Sequence, residues 1–347
     1  MRGLSAWLLL MSLAAVPVSA AQAQEIDVRE DGSVAMPALD VPGSRLMSDE
    51  GNRSRVEHIL TERSLKGKPV AEFNAALFGP RLERTKAAYD VSIKADRIAG
   101  VPVLIYEPKG GIAPAKHGRL LVNVHGGGFV GCFVECGGME SIPVAALTGM
   151  RVVSIDYRLY PAATFPAASE DVETVYRELL KTTPAARIGV YGCSAGGVLT
   201  AQSLARFQAG GLPPPGAAGI FCAGSDPRFD GDSMRYGMVL GDGEMPRAHS
   251  DAPLGYMRGA APGDPTAYPS TRTETLAAFP PTLVMVGTRD FAVSGAVKLH
   301  SRLVALGVDA RLHMWEGGRH AFFYDIRVPE SREVFDVAAK FFLAQLK

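Results

Sequence analysis

A serine flanked by glycines is the residue of this chain whose type and setting first suggest nucleophilic chemistry. Ser194 lies within Gly-Cys-Ser-Ala-Gly at residues 192–196, after a β-branched run that ends at Tyr191 and before a stretch of helical composition. A strand, a tight turn and a helix form the setting in which a Gly-x-Ser-x-Gly turn exposes its serine. Glycine is required because the turn is strained and the two backbones pass close together. The alternative is an ordinary glycine-rich turn, which only further residues can exclude.

A run of glycines upstream predicts a site for a developing negative charge. Residues 125–129 read His-Gly-Gly-Gly-Phe and follow the apolar run 120–124. Consecutive glycines can turn their N–H groups toward one point and bind the oxyanion of an acyl-transfer intermediate, and the Ala195 N–H would add a donor. A flexible turn is one alternative. A phosphate-binding loop is another, but the Gly-Lys-Ser/Thr of such loops is missing from this sequence.

A carboxylate and an imidazole downstream would complete a catalytic triad. Asp290 lies just past the apolar run 282–286, and His320 lies just past the run 310–315. Both side chains therefore fall at the carboxyl edge of a parallel sheet, beside Ser194. Asp290 could instead cap a helix that begins near residue 294, and His320 could be an ordinary loop histidine. The chain order Ser, Asp, His favours a nucleophile, an orienting carboxylate and a base.

His125 is the competing candidate for the base. It precedes the nucleophile in the chain, whereas the base follows the nucleophile in the order Ser, Asp, His. We therefore expect His125 to hold the glycine loop through hydrogen bonds. His300 falls within a predicted helix and His313 within a predicted strand, so both are interpreted as structural.

The elements that must position these residues follow from the pattern of apolar runs. Short β-branched runs alternate with helical stretches after about residue 90, as in the βαβ units of a mostly parallel sheet, whose strands are buried on both faces. The predicted strands are 101–106, 120–124, 151–157, 187–191, 219–223, 282–286 and 310–315. The predicted helices are 142–147, 167–181, 197–207, 295–306 and 330–346.

Two regions outside this alternation are predicted to form a cap. Residues 24–90 combine polar turns with amphipathic helical pieces, whose apolar faces carry Val56, Ile59, Leu60, Phe73, Leu77 and Leu82. Residues 226–278 are rich in Pro, Gly, Asp and Met, and long irregular insertions of this kind often act as lids. We therefore expect an N-terminal cap segment at 24–90 and a catalytic domain at 91–347 that carries a cap insertion at about 226–278.

The motifs taken together resemble those of the hormone-sensitive-lipase-like family of bacterial esterases, which have the α/β-hydrolase fold. They extend from about residue 60 to the end of the chain. They are His125-Gly-Gly-Gly-Phe, Asp156-Tyr-Arg-Leu-x-Pro161, Phe165-Pro-Ala, Gly192-x-Ser-Ala-Gly-Gly197, Pro280-Pro-Thr-Leu and His320-Ala-Phe. The resemblance implies an eight-stranded, mostly parallel sheet flanked by helices, a helical cap, hydrolysis of short to medium acyl esters, and neither a cofactor nor a metal.

The same resemblance implies roles for individual residues. The triad would be Ser194, Asp290 and His320. The oxyanion donors would be the N–H groups of Gly127, Gly128 and Ala195. Supporting, structural roles fall to His125, Gly126, Asp156 and Arg158. Many relatives carry an acidic residue directly before the nucleophile, where this chain has Cys193. That departure leaves the triad intact. It puts in question whatever the acid of those relatives contributes to neighbouring loops or to the local potential.

The charge balance and the triad narrow the range of partners and functions. The 347 residues include 36 Lys and Arg and 36 Asp and Glu, so there is no positive excess for a phosphate backbone and nucleic acid is not an expected partner. The expected partner is a small-molecule ester. Two alternatives remain. The first is an enzyme that hydrolyses a lactone, an amide or a sugar acetate, and only the pocket distinguishes it from a simple esterase. The second is a non-catalytic binding protein with the same fold, and the presence of His320 disfavours it.

The first residues form a unit of their own. Arg2 precedes an apolar run at residues 4–16, and small-residue sites follow at 18–20 and 21–23. This arrangement predicts a secretory signal peptide, residues 1–23, and an exported mature protein that is periplasmic or secreted. A membrane anchor or a buried helix is the alternative, but the run is shorter than the ~20 residues that span a bilayer, and Pro17 ends it.

The four cysteines are too few for a disulfide scaffold, and they lack the paired spacing and histidines of a zinc site. Cys132 and Cys136 lie four residues apart and could bridge in an oxidising compartment. Free thiols are the equal alternative, because the sequence does not fix the geometry that a disulfide needs.

Overall fold

The structure, a computed structural model, describes residues 26–36, 38–228, 231–244 and 254–347. The chain divides into two compact units, one that ends at Pro42 and one that runs from Gly43 to Lys347. The described part of the first unit contains a two-stranded antiparallel sheet, β1 (Asp27–Val28) and β2 (Val34–Ala35). The predicted signal peptide lies outside the described residues.

An eight-stranded sheet forms the centre of the second unit. Its spatial order is β10-β9-β8-β7-β5-β6-β4-β3, and its strands are parallel except that β4 runs antiparallel to both β3 and β6. The strands are β3 (Val91–Ile98), β4 (Val101–Pro108), β5 (Leu120–Val124), β6 (Arg151–Ile155), β7 (Ile188–Cys193), β8 (Ala217–Phe221), β9 (Thr282–Arg289) and β10 (Ala310–Arg319). The α/β-hydrolase fold and the mostly parallel sheet that the sequence predicts are confirmed.

Helices cover both faces of the sheet. They are α1 (Asp49–Ser64), α2 (Val70–Ala88), α3 (Phe133–Thr148), α4 (Ala167–Leu179), α5 (Ala195–Ala209), α6 (Ser233–Gly237), α7 (Thr273–Ala277), α8 (Val293–Ala305) and α9 (Pro329–Gln345). Side chains alternate along each strand, so Val122 and Val124 of β5 pack in a core with α4, α5 and α8, whereas Leu121 packs in a second core with α3 and α9. Burial on both faces explains why the inner strands read as continuous apolar runs.

The strands predicted from the apolar runs are all present, with ends shifted by a few residues. The pattern missed β3, because residues 92–97 of this edge strand are exposed and carry the charged Lys94, Asp96 and Arg97. A strand with a single neighbour lacks the burial that marks an inner strand, and charges on it oppose pairing with another chain. The pattern also placed the start of α3 too late, since Gly137 and Gly138 make its first turns resemble a loop.

The predicted N-terminal cap segment contains α1 and α2. Ile59, Leu77 and Leu82 are buried, as expected. The assignment of Val56 and Leu60 to a buried face is wrong, because they are 47% and 59% exposed. Helix α1 buries a narrow face that includes Gly51, Ser54, His58 and Ile59, and three of these four residues are small or polar. An apolar-pattern argument therefore cannot identify that face.

The predicted insertion at 226–278 contains, in its described parts, the short helices α6 and α7 and no strand. Among the helices of the described residues, none is both long enough and apolar enough to cross a bilayer.

Candidate active site

The turn at Ser194 joins β7 to α5 in a strained conformation. The Ser194 backbone has φ 59° and ψ −124°, and its N–H donates to the carbonyl oxygen of Phe221 at 2.8 Å. Gly196 must be glycine, because a Cβ there would lie 1.9 Å from the carbonyl oxygen of Val124. The turn thereby presses against the end of β5 and holds the Ser194 hydroxyl at the amino end of α5.

A chain of hydrogen bonds joins the three residues of the predicted triad. The Ser194 hydroxyl lies 2.8 Å from His320 Nε2, and His320 Nδ1 lies 2.8 Å from Asp290 Oδ1. Asp290 follows the last residue of β9 and His320 follows the last residue of β10, so neighbouring parallel strands deliver them to the same sheet edge. Asp290 Oδ1 also accepts the Ala292 N–H at 2.8 Å, so this carboxylate shapes the turn before α8 as well as contacting the imidazole.

The surroundings of His320 suit a neutral imidazole that gains a proton readily. Burial lowers its pKa, but the charge of Asp290 and the hydrogen bond to it raise that pKa, and the net shift is upward. With Nδ1–H donating to Asp290, Nε2 is left as the acceptor for the Ser194 hydroxyl. The Phe291 ring stacks on the imidazole at a centroid distance of 4.2 Å and limits its tilt.

The predicted oxyanion donors converge near the nucleophile. Gly127 and Gly128 have φ of 115° and 64° and line the same cavity as Ser194. A Cβ on Gly127 would lie 2.1 Å from the carbonyl oxygen of Gly131, so this position accepts only glycine. Ala195 is the first residue of α5, where N–H groups have no partner within the helix. The oxyanion role of these N–H groups stays a prediction.

His125 is fully buried and supports the glycine loop. Its Nδ1 lies 2.7 Å from the Gly126 carbonyl oxygen, its ring stacks on Tyr157 at 4.3 Å, and the Tyr157 hydroxyl donates to its carbonyl oxygen at 2.6 Å. Burial lowers the pKa of His125 to about 4, so the ring is neutral at physiological pH. The structure does not bring His125 into the hydrogen-bonded chain of Ser194.

A disulfide links Cys132 to Cys136 and decides the question that the sequence left open. It joins the residue before α3 to the first turn of that helix. The glycine loop packs directly against the disulfide, because a Cβ on Gly127 would lie 2.8 Å from Cys132 Cβ. Cys136 also lines the cavity. This bond therefore restrains the backbone from which the loop N–H groups project.

The supporting residues of the Asp-Tyr-Arg motif lie beside the sheet, away from the hydroxyl of Ser194. Asp156 follows β6, and its backbone N–H donates to the Pro102 carbonyl oxygen at 3.0 Å. Burial raises the pKa of its carboxyl. Arg158 binds Asp171 and Glu170 of α4 at 3.0 and 2.9 Å, an arrangement that anchors this segment rather than taking part in chemistry.

Sequence reasoning missed Glu140, a buried carboxylate behind the nucleophile. It lies on α3 and accepts hydrogen bonds from Asn123 Nδ2 at 2.7 Å, from the Gly126 N–H at 3.0 Å, from the Tyr324 hydroxyl, and from the backbone of Cys193. The signal was a single acid within the mostly apolar stretch 137–145. A carboxylate thus does lie against the residue that precedes the nucleophile, although position 193 is cysteine.

The cavity at Ser194 measures about 230 Å³ and has two chemically different walls. The apolar wall includes Phe73, Leu77 and Phe78 of α2, together with Met238 and Phe291. The polar wall contains His58, Glu62, Asp242, Glu244 and Arg319. Helices of the predicted cap segment therefore line the space in front of the nucleophile, and the polar wall was not expected from the sequence.

Burial changes the protonation behaviour of the polar wall. It raises the pKa of Asp242 to about 6 and also raises the pKa of Glu62, although Arg319 opposes both shifts. Burial strongly lowers the pKa of His58, whose neutral ring accepts from Arg81 Nη1 at 3.0 Å and donates to Glu62 at 3.3 Å. This wall therefore offers acidic side chains and the Arg319 guanidinium to a ligand.

Comparisons with known proteins agree with this geometry. The sequence profile of a family described by the alpha/beta hydrolase fold matches residues 121–324. An acetyl-hydrolase of Streptomyces hygroscopicus is 27% identical over 285 residues, which cover 79% of this chain and 94% of that protein. The crystal structure of esterase E25 has a TM-score of 0.76 and 29% identity, covering 91% of this chain and 99% of that chain. An esterase from the bacterial hormone-sensitive lipase family has a TM-score of 0.74 and 27% identity, covering 86% and 99%.

A fluorophosphonate should form its adduct on Ser194, at a rate that depends on His320 and Asp290. The imidazole must be neutral to accept the serine proton, so labelling should slow as the pH falls through the His320 pKa, which lies above the ordinary 6.5. Asp290→Asn permits the wrong tautomer, an exchange that lowers kcat about 10⁴-fold in serine proteases. Mass spectrometry of peptides from a pH series measures both effects.

Asp309→Asn, the same exchange at a half-exposed strand end, serves as the matched control and should label at the wild-type rate. The assignment is wrong if the adduct maps to another residue, or if folded His320→Ala labels as fast as the wild type.

Proposed function

Since the chain belongs to the α/β-hydrolase family, and within it to the hormone-sensitive-lipase-like bacterial esterases, we propose that it hydrolyses short-chain carboxylic esters through an acyl-enzyme on Ser194. The protein is a carboxylesterase-like hydrolase. The observation that carries the finer proposal is the hydrogen-bonded chain from Asp290 through His320 to Ser194, at the mouth of a cavity that Gly127 and Gly128 also line.

The mechanism follows from the distances in this site. His320 Nε2 takes the Ser194 proton as Oγ attacks the ester carbonyl carbon. The N–H groups of Gly127, Gly128 and Ala195 bind the oxyanion, and His320 then protonates the departing alcohol. A water molecule that gives its proton to the same imidazole hydrolyses the acyl-enzyme. The buried Asp290 carboxylate holds the tautomer and stabilises the imidazolium at each of these steps.

The size of the cavity supports the short end of the acyl range. A volume of about 230 Å³ lies below the 300–1,000 Å³ typical of sites for drug-sized ligands. One matched relative is named an acetyl-hydrolase. The polar wall of Glu62, Asp242 and Arg319 favours an alcohol that carries hydroxyl groups, because carboxyl and guanidinium groups that lose their water to a ligand need hydrogen-bond partners. Of the other acyl bonds considered, a sugar acetate therefore suits this site best.

Wild-type enzyme mixed with p-nitrophenyl acetate should release a burst of nitrophenol equal to one equivalent of active sites. The burst arises because acylation of Ser194 precedes slower hydrolysis of the acyl-enzyme. Stopped-flow absorbance measures the burst, and mass spectrometry after acid quenching should find an acetyl group on the Ser194 peptide. Ser194→Ala should abolish both signals. A folded Ser194→Ala variant that turns over the ester at the wild-type rate would contradict the proposal.

The acyl preference should depend on the apolar wall. With p-nitrophenyl esters, kcat/KM should be highest for acetyl to butyryl groups and should fall for octanoyl. Leu77→Ala enlarges the cavity and should raise the octanoyl-to-acetyl ratio of kcat/KM by about tenfold. Leu60→Ala, the same exchange at an exposed position of α1, is the control and should leave the ratio unchanged.

The alcohol side is tested with ethyl acetate and glycerol monoacetate, and the wild type should prefer the hydroxylated ester. An octanoyl-to-acetyl ratio that is indifferent to Leu77→Ala would show that α2 does not line the acyl site.

We also propose that the chain is exported and that residues 1–23 are removed. The apolar run that follows Arg2 supports this proposal, and so does the Cys132–Cys136 disulfide, a bond that persists in oxidising compartments. Protein recovered from the periplasm or the medium of the expressing bacterium should begin at Gln24, or at Ala21 if the earlier site is used. Amino-terminal sequencing decides, and a cytoplasmic protein that begins at Met1 would overturn the proposal.

A further inference from the structure

Glu140 is a buried carboxyl group that connects separate segments of the chain. Its side chain is 1% exposed. Oε2 accepts from Asn123 Nδ2 at 2.7 Å, and Oε1 accepts from the Gly126 N–H at 3.0 Å and from the Tyr324 hydroxyl. The backbone of Cys193 makes a further hydrogen bond to the carboxylate. The group thus collects donors from β5, the glycine loop, β7 and the segment before α9.

Three of these four donors lie close in the chain to a part of the proposed catalytic machinery. Gly126 precedes the oxyanion donor Gly127, and Cys193 precedes the nucleophile. Tyr324 lies four residues after the base, in the single turn that follows β10. The same atoms are closely packed, because a Cβ on Gly126 would lie 2.9 Å from the Tyr324 hydroxyl and 3.0 Å from the Cys193 carbonyl oxygen. A movement of the Glu140 carboxylate would therefore displace all three segments.

Within the part of the chain that the structure describes, no positively charged group is among those that interact with Glu140. The titratable neighbours that interact with it are Cys193, Cys222, Tyr106, Tyr157, Tyr191 and Tyr324. Burial raises the pKa of Glu140 to about 7, against the four hydrogen bonds that lower it. Because the pKa is raised on folding, the ionised carboxylate lowers stability as the pH rises through about 7. An unpaired buried carboxylate is a poor stabiliser, which suggests a role in positioning.

We propose that Glu140 is a positioning residue for acyl transfer, whose carboxylate fixes the oxyanion loop, the turn of the nucleophile and the loop of the base relative to one another. The inference rests on the proposed function. The ionised group offers acceptors only and matches four donors. Protonation removes the negative charge and adds an O–H that the Tyr324 hydroxyl can turn to accept, so the hydrogen bonds from the backbone of Gly126 and Cys193 should weaken and acylation should slow.

Glu140→Gln keeps the size of the side chain and replaces an acceptor oxygen by an NH₂ group. We expect the acylation rate with p-nitrophenyl acetate to fall about 10- to 100-fold, since a misplacement of about 1 Å can cost 10²-fold. The Kd of the ester should change much less, because the cavity walls are untouched. Glu135→Gln, the same exchange on α3 at a half-buried position, should acylate at the wild-type rate.

The pH profile separates positioning from a general loss of structure. In the wild type, protonation of Glu140 adds its slowing effect to the loss of the neutral His320 imidazole, so the acid limb of the logarithm of the acylation rate should be steeper than a slope of one over the pH range in which both groups titrate. In Glu140→Gln only the imidazole remains, and the slope should be one. Tyr324→Phe removes a hydrogen bond that lowers the pKa of Glu140, so the acid limb should move to higher pH.

Circular dichroism and burst amplitude establish folding and the number of active sites. If Glu140→Gln does not fold, Tyr324→Phe decides through the position of its acid limb. A folded Glu140→Gln variant with the wild-type acylation rate and slope would overturn the inference, as would an acid limb that Tyr324→Phe leaves unmoved. Such results with an intact burst on Ser194 leave the proposed function standing, whereas a wild type that forms no acyl-enzyme overturns both.

Discussion

The close contact between the turn at Ser194 and the end of β5 is the constraint on which the site depends. A Cβ at Gly192 or Gly196 would lie 2.0 or 1.9 Å from the Val124 carbonyl oxygen, so only glycine lets these backbones meet. The contact forces Ser194 into a positive φ and places its hydroxyl beside the loop that continues from β5. The proposed nucleophile and the proposed oxyanion donors are thereby fixed by backbone packing, which reorganises little during a reaction.

The remaining parts of the site use the geometry of parallel strands. Neighbouring strands β9 and β10 end at the same edge, and the next residues are Asp290 and His320. Burial lowers the His320 pKa, but the charge of the fully buried Asp290, its hydrogen bond to the imidazole and the charge of Asp242 together raise that pKa above its ordinary value. The ends of the strands thus supply the residues of the proposed chemistry, and the helices α1 and α2 supply part of the walls of the cavity. Changes in those walls can alter the choice of ester without disturbing the frame.

Two linkages hold the loops of this edge together from behind. The Cys132–Cys136 disulfide underlies Gly127, and the Glu140 carboxylate binds the Gly126 N–H. The first linkage is covalent and is broken by reduction, whereas the second is electrostatic and depends on pH. Burial favours the protonated form of Glu140, whereas the hydrogen-bond donors around it favour the ionised form. The stability of the fold and the order of the loop therefore depend in opposite directions on the protonation of Glu140.

The amino-acid sequence predicted seven of the eight strands of the central sheet and the three residues that lie within hydrogen-bond distance of one another, because these features depend on local pattern and chain order. It could not locate β3 or the buried face of α1, whose residues are too polar to mark burial. The Cys132–Cys136 disulfide, the polar wall that contains Arg319 and the hydrogen bonds of Glu140 could be identified only from the three-dimensional structure. Each depends on distances between segments that are remote in the chain or on the geometry of a turn, and residue types do not encode those distances.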